Sequence, residues 1–154
     1  MERAHNLGMR TTATMMFGHE EEPRHRLDHL FAVREVQDRT HGFTAFIPWT
    51  FQPAHTRINV TAPLPAPAYL RLLAVSRLVL DNIPNIQSSW VTMGPEVAQL
   101  ALFYSLMIEE NVVAAAGVSY HLTRHEIHKI IRAAGFTPVQ RTMNYTPVDP
   151  QPED

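Results

Sequence analysis

Runs of β-branched and apolar residues alternate along this chain with stretches whose apolar positions recur every three or four residues. Residues 1–7 follow the helical rhythm, and Gly8 stands where a glycine would close the helix. Thr11-Thr12-Ala13-Thr14-Met15-Met16-Phe17 predicts a buried strand that stops at Gly18-His19. Pro23 suits a first helical position, and Leu27, Leu30, Phe31 and Val36 predict one face of a helix to about Arg39, closed by His41-Gly42. Phe43 to Ile47 predicts a second strand, ended by Pro48. A loop with several prolines follows from Trp49 to about Ala66, a length usually tied to function or disorder. Pro67 opens another helix with Leu70, Leu73, Ala74 and Leu78 on one side. Asn82 to Asn85 then turn the chain into a third strand, Ile86 to Val91.

Strand, helix, strand, helix, strand at this spacing predicts parallel βαβ units with right-handed crossovers. No solenoid repeat and no internal domain boundary is visible. Beyond Gly94-Pro95 the rhythm is helical without a break, through Val97, Leu100, Ala101, Tyr104, Met107, Ile108, Val112 and Ala115. One continuous helix from about Pro95 to Ala116 is therefore predicted, with Glu109 and Glu110 on or near its solvent side. Thr123 and Glu126 have the spacing of a capping box. The helix they start should bury Ile127, Ile130, Ile131 and Ala134 and end at Gly135, before a short extended segment from Phe136 to Gln140. From Thr146 the chain is rich in proline and acid, a frayed end, so 1–146 reads as the folded part and 147–154 as a disordered tail.

A length of 154 residues allows one domain but falls short of the ~200–250 residues of a full (β/α)₈ barrel. The fold class expected is α/β, a partial TIM-type barrel with a parallel sheet. A net charge of −2 with 18% charged residues leaves no electrostatic footprint for nucleic acid or an anionic membrane. No apolar run approaches the ~18 residues of a membrane span, and no signal-peptide pattern is present, so a cytoplasmic location is expected. The sequence contains no cysteine. Disulfides, thiolate catalysis and any cysteine-ligated zinc or iron–sulfur site built from this chain alone are excluded.

Nine histidines raise the question of a metal. His25/His29 and His121/His125 are four apart, and His125/His128 three apart. His125, His128, Lys129 and Arg132 lie opposite the apolar face of their helix, so a solvated surface is expected and no metal site. His19 follows a strand at Gly18, where barrel enzymes gather their functional groups; the alternative is that it only caps the turn. Trp49, Thr50 and Gln52 hold the equivalent place after the second strand, and Trp90 and Thr92 after the third; the tryptophans have a plain packing reading beside the functional one. Gly94-Pro95-Glu96 starts a helix whose free N–H groups could hold an anion, as any helix start could. Glu109-Glu110-Asn111 is a polar triplet in an apolar run, read either as surface or as part of a site.

Four stretches then carry a resemblance: Thr11 to His19; Gly42-Phe43-Thr44-Ala45-Phe46-Ile47-Pro48-Trp49-Thr50-Phe51-Gln52-Pro53; Asp81-Asn82-Ile83-Pro84-Asn85-Ile86-Gln87; and Met107-Ile108-Glu109-Glu110-Asn111-Val112-Val113. In this order, from about Met1 to Pro147, the chain resembles the radical S-adenosylmethionine enzymes of the futalosine route to menaquinone. The Pro48-Trp49-Thr50-Phe51-Gln52-Pro53 version is similar to the cyclase branch rather than to aminofutalosine synthase. The resemblance implies a (β/α)₈ barrel whose Cys-x₃-Cys-x₂-Cys loop binds a 4Fe–4S cluster. That cluster chelates S-adenosylmethionine and cleaves it to a 5′-deoxyadenosyl radical. In the cyclase branch the radical takes a hydrogen from C4′ of dehypoxanthine futalosine, and the sugar radical closes onto the aromatic ring.

Two departures bear on what carries over. The resemblance places the chain's start in the helix before the fifth strand, without the cysteine loop. A Gly-Ala-Asn-Asp-x-Gly-like stretch of the family, its eighth strand, is missing between Tyr104 and Ser105. The resemblance leaves His19, Trp49, Gln52, Trp90 and Glu109 as a partial substrate wall, with no catalytic residue, metal or cofactor expected of this chain by itself. A separate polypeptide with the cysteine loop, a complementing N-terminal half, is one partner that would complete the barrel; an aminofutalosine synthase-type fragment and a non-catalytic binding or scaffold module are the alternatives.

Overall fold

The computed structural model describes residues 1–53, 56–58, 60, 64–104, 122–142 and 144–148. Gly8, at φ +83°, follows helix α1 (Glu2–Asn6) and releases the chain into strand β1 (Thr11–Phe17). Helix α2 (Pro23–Thr40) has proline in its first turn and a Glu22/His25 capping box, and His41 closes it in the left-handed region at φ 51°. These boundaries agree with the sequence reading. The buried face does not: it is Leu30, Val33 and Gln37, while Leu27 and Phe31 are exposed.

Strand β2 (Phe43–Thr50) runs three residues past the predicted stop at Ile47. Pro48 is tolerated because of where it falls. Phe46 turns its carbonyl toward β3 (Asn85–Ile86), accepting from the Gln87 N–H at 2.9 Å. In a parallel ladder Pro48, two residues on, faces the same way, beyond the paired residues of β3. Its missing N–H breaks no ladder bond, and its carbonyl accepts from the Tyr69 hydroxyl at 3.2 Å. β2 is the central strand of a three-stranded parallel sheet ordered β1-β2-β3. The register shifts between Thr11 and Thr12, with Thr44 as the extra residue, so Phe43 and Phe46 can both face the helices.

Helix α3 (Ala66–Val79) buries Tyr69, Leu72, Leu73 and Ser76. Leu78, expected on that face, is 80% exposed. One core joins Ala13, Met15 and Phe17 of β1, Leu30 and Val33 of α2, Phe46, Ile86 and Tyr69, Leu72 and Leu73 of α3. Both helices therefore cover one face of the sheet. The other face carries the rows Thr12–Ala45, Thr14–Ile47 and Met16–Trp49, and on β1 it is exposed. β1 is accordingly a half-buried strand rather than a fully buried one.

Two corrections follow β3. The strand predicted over Ile86–Val91 is two residues long, and Trp90–Met93 form a short helix, α4. Ser89 leaves the ladder because its N–H donates to the Tyr69 hydroxyl at 2.6 Å and its carbonyl accepts from Thr92. The continuous helix expected from Pro95 to Ala116 is also broken. Helix α5 (Pro95–Ala101) ends there, and Phe103 and Tyr104 donate three residues back, to Leu100 and Ala101, in a tighter turn. The remainder of that expectation, including Glu109 and Glu110, lies outside the described residues.

Helix α6 (Arg124–Ala133) has the predicted capping box, with Thr123 N–H donating to Glu126 at 2.7 Å and Glu126 N–H to Thr123 at 3.3 Å. Only Ile127 of its apolar face is fully buried; Ile130, Ile131 and Ala134 are half-buried. Where a frayed end was expected, Val148 donates to the Gln140 carbonyl and Arg141 bridges Pro147; the chain beyond Val148 lies outside the described residues. No helix among the described residues is long and apolar enough to cross a membrane.

Candidate functional site

The C-terminal ends of β1 and β2 meet at one rim. Gly18, at φ +93°, turns the chain off β1. The Gly18 and His19 N–H groups donate to the two carboxylate oxygens of Glu21 at 2.7 and 2.9 Å. Arg26 closes on the same carboxylate, through Nε at 2.8 Å and a terminal nitrogen at 2.6 Å, while its guanidinium lies 5.2 Å from the Phe17 ring centroid. Burial acts to raise the Glu21 pKa, but the backbone N–H bonds and Arg26 outweigh it and hold the carboxyl down at about 2. Glu21 is a fixed anion that shapes the turn, not a proton donor near neutrality.

His19 is half-buried on this turn. Its Nδ1 accepts from the Glu20 N–H at 2.7 Å, so the neutral ring carries its proton on Nε2. The ring stands edge-on to Phe51 with centroids 5.5 Å apart. Phe51 is itself fixed by its N–H to the Phe17 carbonyl at 2.7 Å. Beside it, buried Thr50 accepts from the Gln52 side-chain amide at 3.1 Å and reaches the Met93 sulfur at 3.5 Å. Gln52 thus folds back onto the end of β2. Below the rim, Tyr69 stacks on Phe17 and ties Pro48 to Ser89, and burial pushes its phenol pKa up.

Among the predicted wall residues, His19 and Gln52 lie just past the ends of β1 and β2, His19 against Phe51 and Gln52 against Thr50, and Trp49 is the second-last residue of β2. Trp49 is half-buried on the face away from the helices, in the row of Met16. Trp90 does not join them. It is 1% exposed and packs with Val91, Ala98 and Leu122, because α4 replaces the strand that would have carried it to the rim. Glu109 lies outside the described residues. Sequence reasoning missed Glu21 and Arg26, whose signal was a carboxylate three residues after a strand-ending glycine. It also missed Tyr69, which stands among leucines in an apolar helical run.

The rim offers an aromatic surface, an imidazole N–H and amide groups, chemistry suited to a polar, ring-bearing small molecule. Among the described residues no three His, Cys, Asp or Glu side chains are grouped as metal ligands would be. With no cysteine in the sequence, the donor set does not fit a thiolate-ligated cluster.

Comparison with known proteins gives a family match over residues 40–153, to the model described as the CofH/MqnC C-terminal region. A cyclic dehypoxanthine futalosine synthase of Halalkalibacterium halodurans is 50% identical over 151 residues, covering 94% of this chain and 41% of the relative. The protein of the same name from Streptomyces coelicolor is 46% identical, covering 94% of this chain and 38% of the relative. An aminodeoxyfutalosine synthase of Streptomyces coelicolor is 38% identical over 92% of this chain and 42% of its own length. The chain therefore spans about two fifths of the length of the curated relatives it matches.

Proposed function

Because the chain belongs to the family of the CofH/MqnC C-terminal region, we propose that it supplies the closing strands and one substrate wall of a radical S-adenosylmethionine cyclase acting on dehypoxanthine futalosine. The observation that carries this reading is the rim itself. In a family shared with cyclic dehypoxanthine futalosine synthases, His19, Trp49 and Gln52 each lie at or just past the C-terminal end of a parallel strand, the place barrel enzymes use for their substrates. When bound, S-adenosylmethionine and a 4Fe–4S cluster would supply the radical, and this chain has no thiolate to ligate the cluster. No step of that chemistry is assigned to its residues.

What the chain's own groups do is bind and position. Trp49 gives a flat apolar surface beside Met16 for a planar ring. His19 offers Nε2–H as a donor, and the Glu21–Arg26 pair keeps the Gly18-His19 turn in one conformation. Catalysis then requires a polypeptide with the Cys-x₃-Cys-x₂-Cys loop. β1 pairs on one side only among the described residues, and its free edge is the place for a strand of that partner. Co-expression with the N-terminal part of such an enzyme, followed by anaerobic reconstitution with iron and sulfide, tests the proposal. A complex that consumes dehypoxanthine futalosine is expected. Absence of any complex, together with no binding of that compound by the chain in calorimetry at millimolar concentration, would overturn it.

A further inference from the structure

Gln87 sits directly after β3, and its N–H donates to the Phe46 carbonyl at 2.9 Å, in step with the register that pairs Phe46 with Ile86. Ile86 is fully buried in the core beneath the helices. Side chains alternate along an extended chain, so Gln87 falls on the opposite face. That puts it in the row of Thr14 and Ile47, one step below Met16 and Trp49. It is nonetheless only 4% exposed, and its carbonyl oxygen Oε1 is buried without a hydrogen-bond partner.

A buried acceptor left unpaired destabilises a fold by ~1–3 kcal/mol, and such groups are few in native proteins. Asn82 shares the condition, but its side chain is anchored through Nδ2 to the Arg34 carbonyl and to Asp38 in the turn before β3. Gln87 has no such duty among the described residues, and it lies on the face that carries Trp49.

We infer that Gln87 is a specificity residue of the site, its carbonyl accepting a hydrogen bond from a hydroxyl or N–H of the ligand that rests against Trp49. This rests on the substrate-wall reading above and goes further by naming the group that selects. A neutral amide acceptor favours a ligand carrying a donor at that position and rejects an analogue lacking it, since the oxygen would then stay unpaired.

The test uses the full 154-residue chain as wild type, Gln87→Met and Gln87→Leu, in calorimetry with dehypoxanthine futalosine and in thermal unfolding without ligand. Both variants are expected to unfold at or above the wild-type temperature, because an unpaired acceptor has been removed. Both are expected to bind about fivefold to tenfold more weakly, the loss of one neutral hydrogen bond. Wild-type binding with unchanged affinity in both variants overturns this inference and leaves the substrate-wall reading standing. No wild-type binding at millimolar ligand overturns this inference, and it overturns the substrate-wall reading too where no complex with the N-terminal part forms. Variants that unfold well below wild type, with affinity unchanged, mark an amide satisfied internally through buried water, and that also overturns the inference.

Discussion

The His5 ring fills the space that a side chain at Gly42 would need: a β-carbon built there would lie 2.1 Å from the ring's Cγ. The ring cannot step aside freely. The Thr40 hydroxyl donates to the Val36 carbonyl at 2.7 Å, so it accepts from His5 Nδ1, and His5 Nε2 shares a 2.7 Å hydrogen bond with the Thr11 hydroxyl. Phe43 packs edge-on against the same ring at 4.7 Å. Gly42→Ala is expected to destabilise the chain by about 1–3 kcal/mol, the range for overpacking a tight contact. In a His5→Ala background the same substitution should cost less. Denaturant melts of the two single variants and the double variant measure that coupling; strict additivity would show that the ring and Gly42 do not compete for space.

Glu21 should make stability depend on acid pH. Its folded pKa is lowered from 4.5 to about 2. A depressed folded pKa means the stabilisation is fully present above the unfolded value and lost as pH falls through the folded one. Between pH 4.5 and about 2 the wild type should therefore lose on the order of 2–3 kcal/mol that Glu21→Gln never had. Unfolding curves of both proteins at several pH values check this. A wild-type advantage that stays constant from pH 6 to pH 2.5 would count against it.

Local signals were legible wherever one or two residues decide the backbone. Gly8, Pro23, the Thr123/Glu126 pair and the run Thr11 to Phe17 each fell where expected, because caps, first-turn prolines and β-branched runs act within a few residues. Choices made by tertiary packing were not legible. Leu27, Leu30 and Phe31 are all apolar, and only the sheet beneath α2 selects Leu30. Pro48 looked like a stop because the sequence does not say that β3 is too short to need its N–H. That His19, Trp49 and Gln52 lie at strand ends follows from where β1 and β2 stop. Trp90 was lost from the rim because Ser89 bonds to Tyr69, twenty residues away.

The capping box of α6 gives a local prediction. Thr123 and Glu126 satisfy each other's N–H groups, and Gln99 reaches across to the Ile130 carbonyl at 3.2 Å. Thr123→Ala should destabilise by about 1 kcal/mol, while Thr123→Ser should be near neutral. Amide exchange in the first turn of α6 should rise in the alanine variant alone. Equal exchange in both variants would mean the cap contributes nothing measurable.

Tyr69 holds the last testable relationship, because its hydroxyl spans the gap where β3 stops short. It donates to the Pro48 carbonyl at 3.2 Å and accepts from the Ser89 N–H at 2.6 Å. Pro48 sits beyond the last pairing of β3, and Ser89 starts the turn into α4, so neither group has a strand partner there. Tyr69→Phe keeps the ring and its stacking on Phe17 but leaves both backbone groups unpaired in a buried place. The expected loss is about 1–3 kcal/mol, more than a surface hydroxyl would give. Because the bond to Ser89 fixes where the chain leaves the sheet, its removal should also loosen α4 and, through Met93, the support of Thr50 at the rim. Amide exchange of Ser89 and of residues 90–93 should therefore accelerate well beyond the change in global stability. Acceleration limited to the global amount would show that α4 is held by the packing of Trp90 and Val91 rather than by this hydroxyl.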